Sequence, residues 1–246
     1  MNFQYWFNYF QNNQSHFGKI DWDIDDALSQ EEKRWIATSL QQFQRGESSE
    51  GKHLFAFAKA FSNPSYLECI KLFIREEQKH AWVLKRYMDK HSLPTIKRHW
   101  IDVVFRKLRK LSGIFNIVVI LLIAEIIAKV YYKALFKSTR STLLQNICIQ
   151  ILQDEEAHIA FQCHTLQEVL LQRRTTANKL LVTILYPVLM SGTIVMVWLY
   201  HKAVLKRGGY SFPHFYNVTM EIFNNCKEVI LLKEISFKPI LVLKTE

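Results

Sequence analysis

Apolar residues recur along this chain at steps of three and four, the spacing of one face of an α-helix. From Ile36 one stripe runs through Leu40, Phe43, Glu47, Glu50, Leu54, Phe57 and Phe61. A second passes through Leu67, Ile70, Ile74, Glu77, Ala81, Leu84 and Met88, and a third through Ile114, Val118, Leu121, Glu125, Ala128, Tyr132 and Leu135. Each predicts a helix with one face in a core. Turn residues fall between the stripes: Ser62-Asn63-Pro64, with proline suited to a helix start, and Lys137 to Ser141 ahead of a fourth helix. The connection from Leu93-Pro94 to Gly113 has to cross the length of the bundle. With only 7 Gly and 5 Pro in 246 residues, little material remains for strands and turns. The expected fold is all-α: two helical hairpins forming a four-helix bundle, with a long crossover between them.

The charged exceptions on these apolar faces change the picture. Glu47 stands thirty residues before the Glu77-x-x-His80 of EEQKH, and Glu125 stands thirty before the Glu155-x-x-His158 of DEEAH. A hairpin with its turn midway puts each lone Glu level with its Glu-x-x-His. Two such hairpins face to face bring four carboxylates and two imidazoles to one depth. An unpaired buried carboxylate costs several kcal/mol, so acids in a core are paired with a counter-charge or a metal. No Lys or Arg falls on the stripes beside these Glu residues. Four negative charges would balance two metal cations, and oxygen with imidazole ligands suits iron or manganese.

One Glu from each of two helices, with Glu-x-x-His from each of the other two, is the ligand set of the di-iron and di-manganese carboxylate bundles. Residues 28 to 172 resemble the ferritin-like superfamily, most specifically in GESSEG, EEQKHA, AEIIAKVYY and DEEAH. The tract GESSEGKHLFAFA is similar to the first helix of rubrerythrins, and that match carries the ligand role to Glu47. Glu50 shares the same face and stands as the alternative first-helix ligand, with His53 as a candidate extra ligand or a solvated histidine. The resemblance also implies that the acid preceding each Glu-x-x-His, Glu76 or Asp154, orients the opposite imidazole through its second nitrogen. It implies two iron ions, or a manganese–iron or manganese pair. It further implies activation of dioxygen to oxidise or oxygenate an organic, hydrophobic substrate. A ferroxidase-type metal-handling protein, a tRNA-modifying hydroxylase and a non-catalytic helical bundle are the alternatives. The chain has no Cys-x-x-Cys and so no rubredoxin-type iron site, which calls for a separate electron-donor protein.

Composition fills in the surroundings. Residues 1–27 read as an aromatic-rich extension bracing the bundle, residues 28–175 as the bundle, and residues 176–246 as a C-terminal helical extension packed on it. Leu180 to Tyr200 contains no charged residue. Twenty such positions can span a bilayer, but Thr, Ser, Gly and Pro dilute the run, and a fifth helix packed on the bundle or at a homodimer interface is expected instead. Lys97, Arg98, His99, Arg106, Lys107, Arg109 and Lys110 make the crossover basic. That face is expected to be solvated, with contact to an anionic membrane surface as the other reading. The net charge of +10 attracts polyanions, yet no nucleic-acid motif is present and a nucleic-acid partner is not expected. The first fourteen residues lack an export signal's charged start and unbroken apolar core. Cys69, Cys148, Cys163 and Cys226 read as small core residues in a reducing, cytoplasmic setting.

Overall fold

The computed structural model describes residues 3–15, 19–48, 51–61, 63–96, 114–172 and 181–231. All regular structure among these residues is helical. The elements are α1 (Gln4–Asn13), α2 (Gln30–Glu47), α3 (Lys52–Ala60), α4 (Pro64–Lys90), α5 (Ile114–Ser138), α6 (Thr142–Gln172), α7 (Tyr186–Arg207) and α8 (Phe212–Leu231), with a π-helical turn at Leu181–Leu185 leading into α7. The basic run 97–110 and most of the predicted crossover, Glu50, Ser62 and Leu180 lie outside the described residues.

Local chemistry sets the ends of these helices. Ser29 accepts from the backbone N–H of Glu32 to cap α2, and Asn63 caps α4 through Tyr66 with Pro64 in the first turn. Buried Glu32 accepts from Thr139 Oγ1 and from the Arg140 N–H, so the start of α2 is tied to the α5–α6 turn. That turn falls where the sequence predicts it, between Ser138 and Thr142.

One expectation needs correction. The stripe from Ile36 to Phe61 reads as a single helix, but the structure breaks it into α2 and α3. Gly51 adopts φ +64°, a left-handed conformation, and a Cβ there would sit 2.6 Å from Ile74 Cδ1. Ser48 Oγ donates to the Gln44 carbonyl at 2.7 Å in the last turn of α2. Backbone conformation and close packing on α4 outweigh the continuous apolar period.

The helices pack as two hairpins: α2 and α3 on α4, and α5 on α6, with α4 facing α6 and α3 meeting α5. Helix α1 lies on α4; α7 rests on α5 and α2, and α8 on α5, α6 and α7. One apolar core runs through α2, α4, α5, α6, α7 and α8. A second, built from Phe3, Trp6 and Phe10 of the N-terminal segment with Leu54, Tyr66, Phe73 and Phe161, seats α1 against the hairpins. The N-terminal aromatic residues therefore brace the bundle. Helix α7 is pinned by a polar tie in which Ser39 Oγ joins Tyr131 Oη at 2.9 Å and His201 Nδ1 at 2.8 Å, beneath Phe43 stacked on Tyr131.

Among the described residues, two helices are long and apolar enough to cross a membrane, Phe115–Ser138 and Leu181–Arg207. The first has 78% of its most apolar window buried inside the protein, which makes it a core helix; the second has 28%. Helix α7 and its leading turn pack one face on the bundle and leave Ile184, Leu185, Val188, Val195 and Leu199 exposed.

Candidate metal centre

Helix geometry assembles the cluster. On α4, Glu77 and His80 share a face, as do Glu155 and His158 on α6. Glu47 enters as the last residue of α2, and Glu125 from the middle of α5. These side chains form two overlapping groups: Glu47, Glu77, His80 and Glu155, and Glu77, Glu125, Glu155 and His158. Within each group one potential ligand atom per residue lies within 4.8 Å of the others, close enough to hold a metal ion. Glu77 and Glu155 belong to both. The structure thus brings together the six residues singled out by spacing. His53 is exposed on α3 and takes no part.

Both imidazoles are held from behind by an acid of the opposite hairpin. His80 Nε2 meets Asp154 Oδ2 at 2.9 Å, and His158 Nε2 meets Glu76 Oε2 at 3.1 Å. An ionised carboxylate only accepts, so each Nε2 carries a proton and each Nδ1 faces the cluster, where a bound cation would replace any proton it holds. There, His80 Nδ1 lies 3.7 Å from both Glu77 Oε1 and Glu155 Oε1. His158 Nδ1 lies 3.1 Å from Glu77 Oε1 and 3.6 Å from Glu125 Oε2.

The site is almost closed to solvent. His80, His158, Glu155 and Asp154 are fully buried, with Glu76, Glu125 and Glu47 nearly so, while the Glu77 side chain keeps 18% of its surface exposed. Such burial makes the carboxylates demand positive charge. Burial, reinforced by the charge of Glu77, raises the Glu47 carboxyl from its ordinary 4.5 to about 8. Burial and the neighbouring Glu125 push Glu155 well above the carboxylate range. Burial acts on Glu125 in the same direction, but His158 beside it holds it low. Burial opposes charge on the two imidazoles, and the surrounding acids overcome it and raise both. Both Glu155 oxygens lack a hydrogen-bond partner, and Glu77 Oε1 and His158 Nδ1 meet at 3.1 Å without hydrogen-bond geometry. Buried, converging and unsatisfied oxygen and nitrogen atoms are the donor set a cation would complete.

Two contacts of this site, and one buried polar residue beside it in sequence, were not anticipated from the sequence. Tyr132, on the apolar stripe of Glu125, donates its hydroxyl to Glu47 Oε1 at 2.8 Å. Gln162, one turn beyond His158 on α6, is fully buried with neither amide atom hydrogen-bonded. Asn13 of α1 reaches both Glu76 and Asp154. The pair Tyr131-Tyr132 carried a signal in lying two turns beyond Glu125; Asn13, in an aromatic segment far from any motif, carried none. No known protein family, curated protein or solved structure matches the chain.

Proposed function

We propose that this chain is a di-metal oxidoreductase of the ferritin-like kind. It would hold two iron ions, or a manganese–iron or manganese pair, and use dioxygen to oxidise or oxygenate an organic, hydrophobic substrate. The observation that carries this reading is the overlap of the two groups at Glu77 and Glu155. Glu47 and His80 would hold one metal, Glu125 and His158 the other, with Glu77 and Glu155 shared between them. The bound pair supplies redox chemistry toward dioxygen that protein side chains lack.

The chain's own residues do the rest. Four carboxylates offset the charge of two divalent cations. Glu76 and Asp154 keep the imidazole protons on Nε2, which leaves Nδ1 available as a ligand. The Tyr132 hydroxyl fixes one oxygen of Glu47. Leu54, Phe73, Val118 and Ile151, all buried, belong to the apolar packing that keeps water from these helices. Glu77, the one part-exposed member of the cluster, would be the side from which small molecules approach. Electrons would come from a separate donor protein.

Elemental analysis of protein purified without chelator, followed by anaerobic iron loading and exposure to oxygen, tests the assignment. Two irons per chain and an oxygen-dependent visible band are expected. Failure to bind iron even on anaerobic loading would refute it.

A further inference from the structure

Asn13 closes α1 and reaches the back of the cluster. Its Nδ2 donates to Glu76 Oε1 at 2.9 Å and to Asp154 Oδ1 at 2.6 Å. Those acids sit on different helices, α4 and α6, and each spends its other oxygen on an imidazole, Glu76 on His158 and Asp154 on His80. A single amide therefore ties together the two carboxylates that orient both histidines. Its orientation follows from its neighbours: both are acceptors, so the NH2 group has to face them. Two carboxylates converging on one nitrogen repel each other. A pair of N–H donors offsets that repulsion and adds no charge behind the cluster, which a lysine in its place would do.

The position of Asn13 is itself fixed. Trp6 Nε1 donates to His164 Nδ1 at 3.0 Å, and Cys69 Sγ donates to the Phe3 carbonyl. Fully buried Phe10 packs against Phe73, His158 and Phe161. Beyond the helix end, Lys79 donates to the Gln14 carbonyl. With α1 anchored on both sides, little rotamer freedom remains to be lost when the amide bridges the two acids.

We propose that Asn13 is a positioning residue for the metal centre: by clamping Glu76 to Asp154 it sets the orientation of His158 and His80 together, so both metal-binding groups depend on one side chain outside the bundle. This rests on the metal-binding reading above. Asn13 acts on His158 and His80 through the acids behind them.

The test is anaerobic titration of the full chain with Co(II), read by visible absorption, alongside circular dichroism and thermal melting. The parent is expected to take two Co(II) per chain. Asn13→Ala should weaken binding at both sites by about 10- to 100-fold, the usual cost of losing support behind a histidine ligand, and should shift the visible bands. Asn13→Asp keeps the shape but sets a third acid against two others, and should lose at least as much. Asn13→Ser, which preserves the packing of α1 and one donor, should fall between parent and Asn13→Ala; it also serves if Asn13→Ala does not fold. Combining Asn13→Ala with Glu76→Gln and Asp154→Asn should add less than about threefold to the loss those changes already cause, since contacting groups are non-additive. A lower melting temperature with unchanged affinity and spectrum would overturn the proposal and leave α1 as a brace. A parent that binds no Co(II) would overturn this proposal and the metal reading together, whereas binding that ignores Asn13 overturns this one alone.

Discussion

Replacing Glu47 with glutamine should stabilise the metal-free protein and flatten its dependence on pH. The folded state holds the Glu47 proton up to about pH 8, against an ordinary carboxyl value of 4.5, because the group is buried and faces Glu77. Between those values the folded chain binds more protons than the unfolded chain, so stability falls as pH rises. At about 1.4 kcal/mol for each tenfold change, the gap corresponds to about 5 kcal/mol lost once pH exceeds the folded value. Glutamine keeps the size of the side chain and an oxygen to accept from Tyr132, but has no proton to lose. Glu155, His80 and His158 are also raised, and their contributions fall with pH in the same sense, so the variant retains a shallower slope. Glu125 is held low; its contribution has the opposite sign, present at neutral pH and lost on acidification. Urea unfolding of chelator-treated protein, followed by circular dichroism from about pH 5 to about pH 8.5, measures the effect. The two proteins should converge at the acid end, with the variant several kcal/mol more stable at the alkaline end. Equal slopes, or a weaker variant at the alkaline end, would refute the argument that Glu47 is buried against like charge.

Further perturbations probe other parts of the fold. His158→Ala should abolish binding of the metal assigned to Glu125 and weaken the other by elemental analysis while the helical dichroism persists, because His158 belongs to one group and the two groups share Glu77 and Glu155. Gly51→Ala should lower stability by about 1–3 kcal/mol in chemical unfolding, since φ is +64° and the new Cβ would press on Ile74. Val188→Lys, at a position 67% exposed, should shift stability by no more than about 0.5 kcal/mol in the isolated protein. A larger loss in thermal melting would mean that another molecule covers that face of α7.

The helices were legible because an apolar period of three to four persists wherever a helix borders a core, and the α5–α6 turn because Ser and Thr interrupt it. The six clustered residues were legible for a related reason: an acid on an apolar stripe is costly, and equal spacing in both hairpins sets the acids level. The break after Glu47 was hidden because the stripe continues across it through Leu54 and Phe57; only Gly51 hinted at a change of backbone. Asn13 and Tyr132 were hidden differently. Their partners are 63, 141 and 85 residues away, and such contacts depend on how whole helices dock, which no local period records.

The crossing of supports between the hairpins bears on how this protein assembles. His80 of the first hairpin is held by Asp154 of the second, and His158 of the second by Glu76 of the first. Neither half therefore contains a finished coordination site, even though each carries its own Glu-x-x-His. The site exists only where α4 docks on α6, since each candidate group draws residues from both hairpins. If the cluster binds metal as proposed, uptake would report the docking step, and the first hairpin alone would offer a metal acids and an imidazole with no fixed geometry. On the metal-binding reading proposed above, chain connectivity would delay loading until both hairpins are in place.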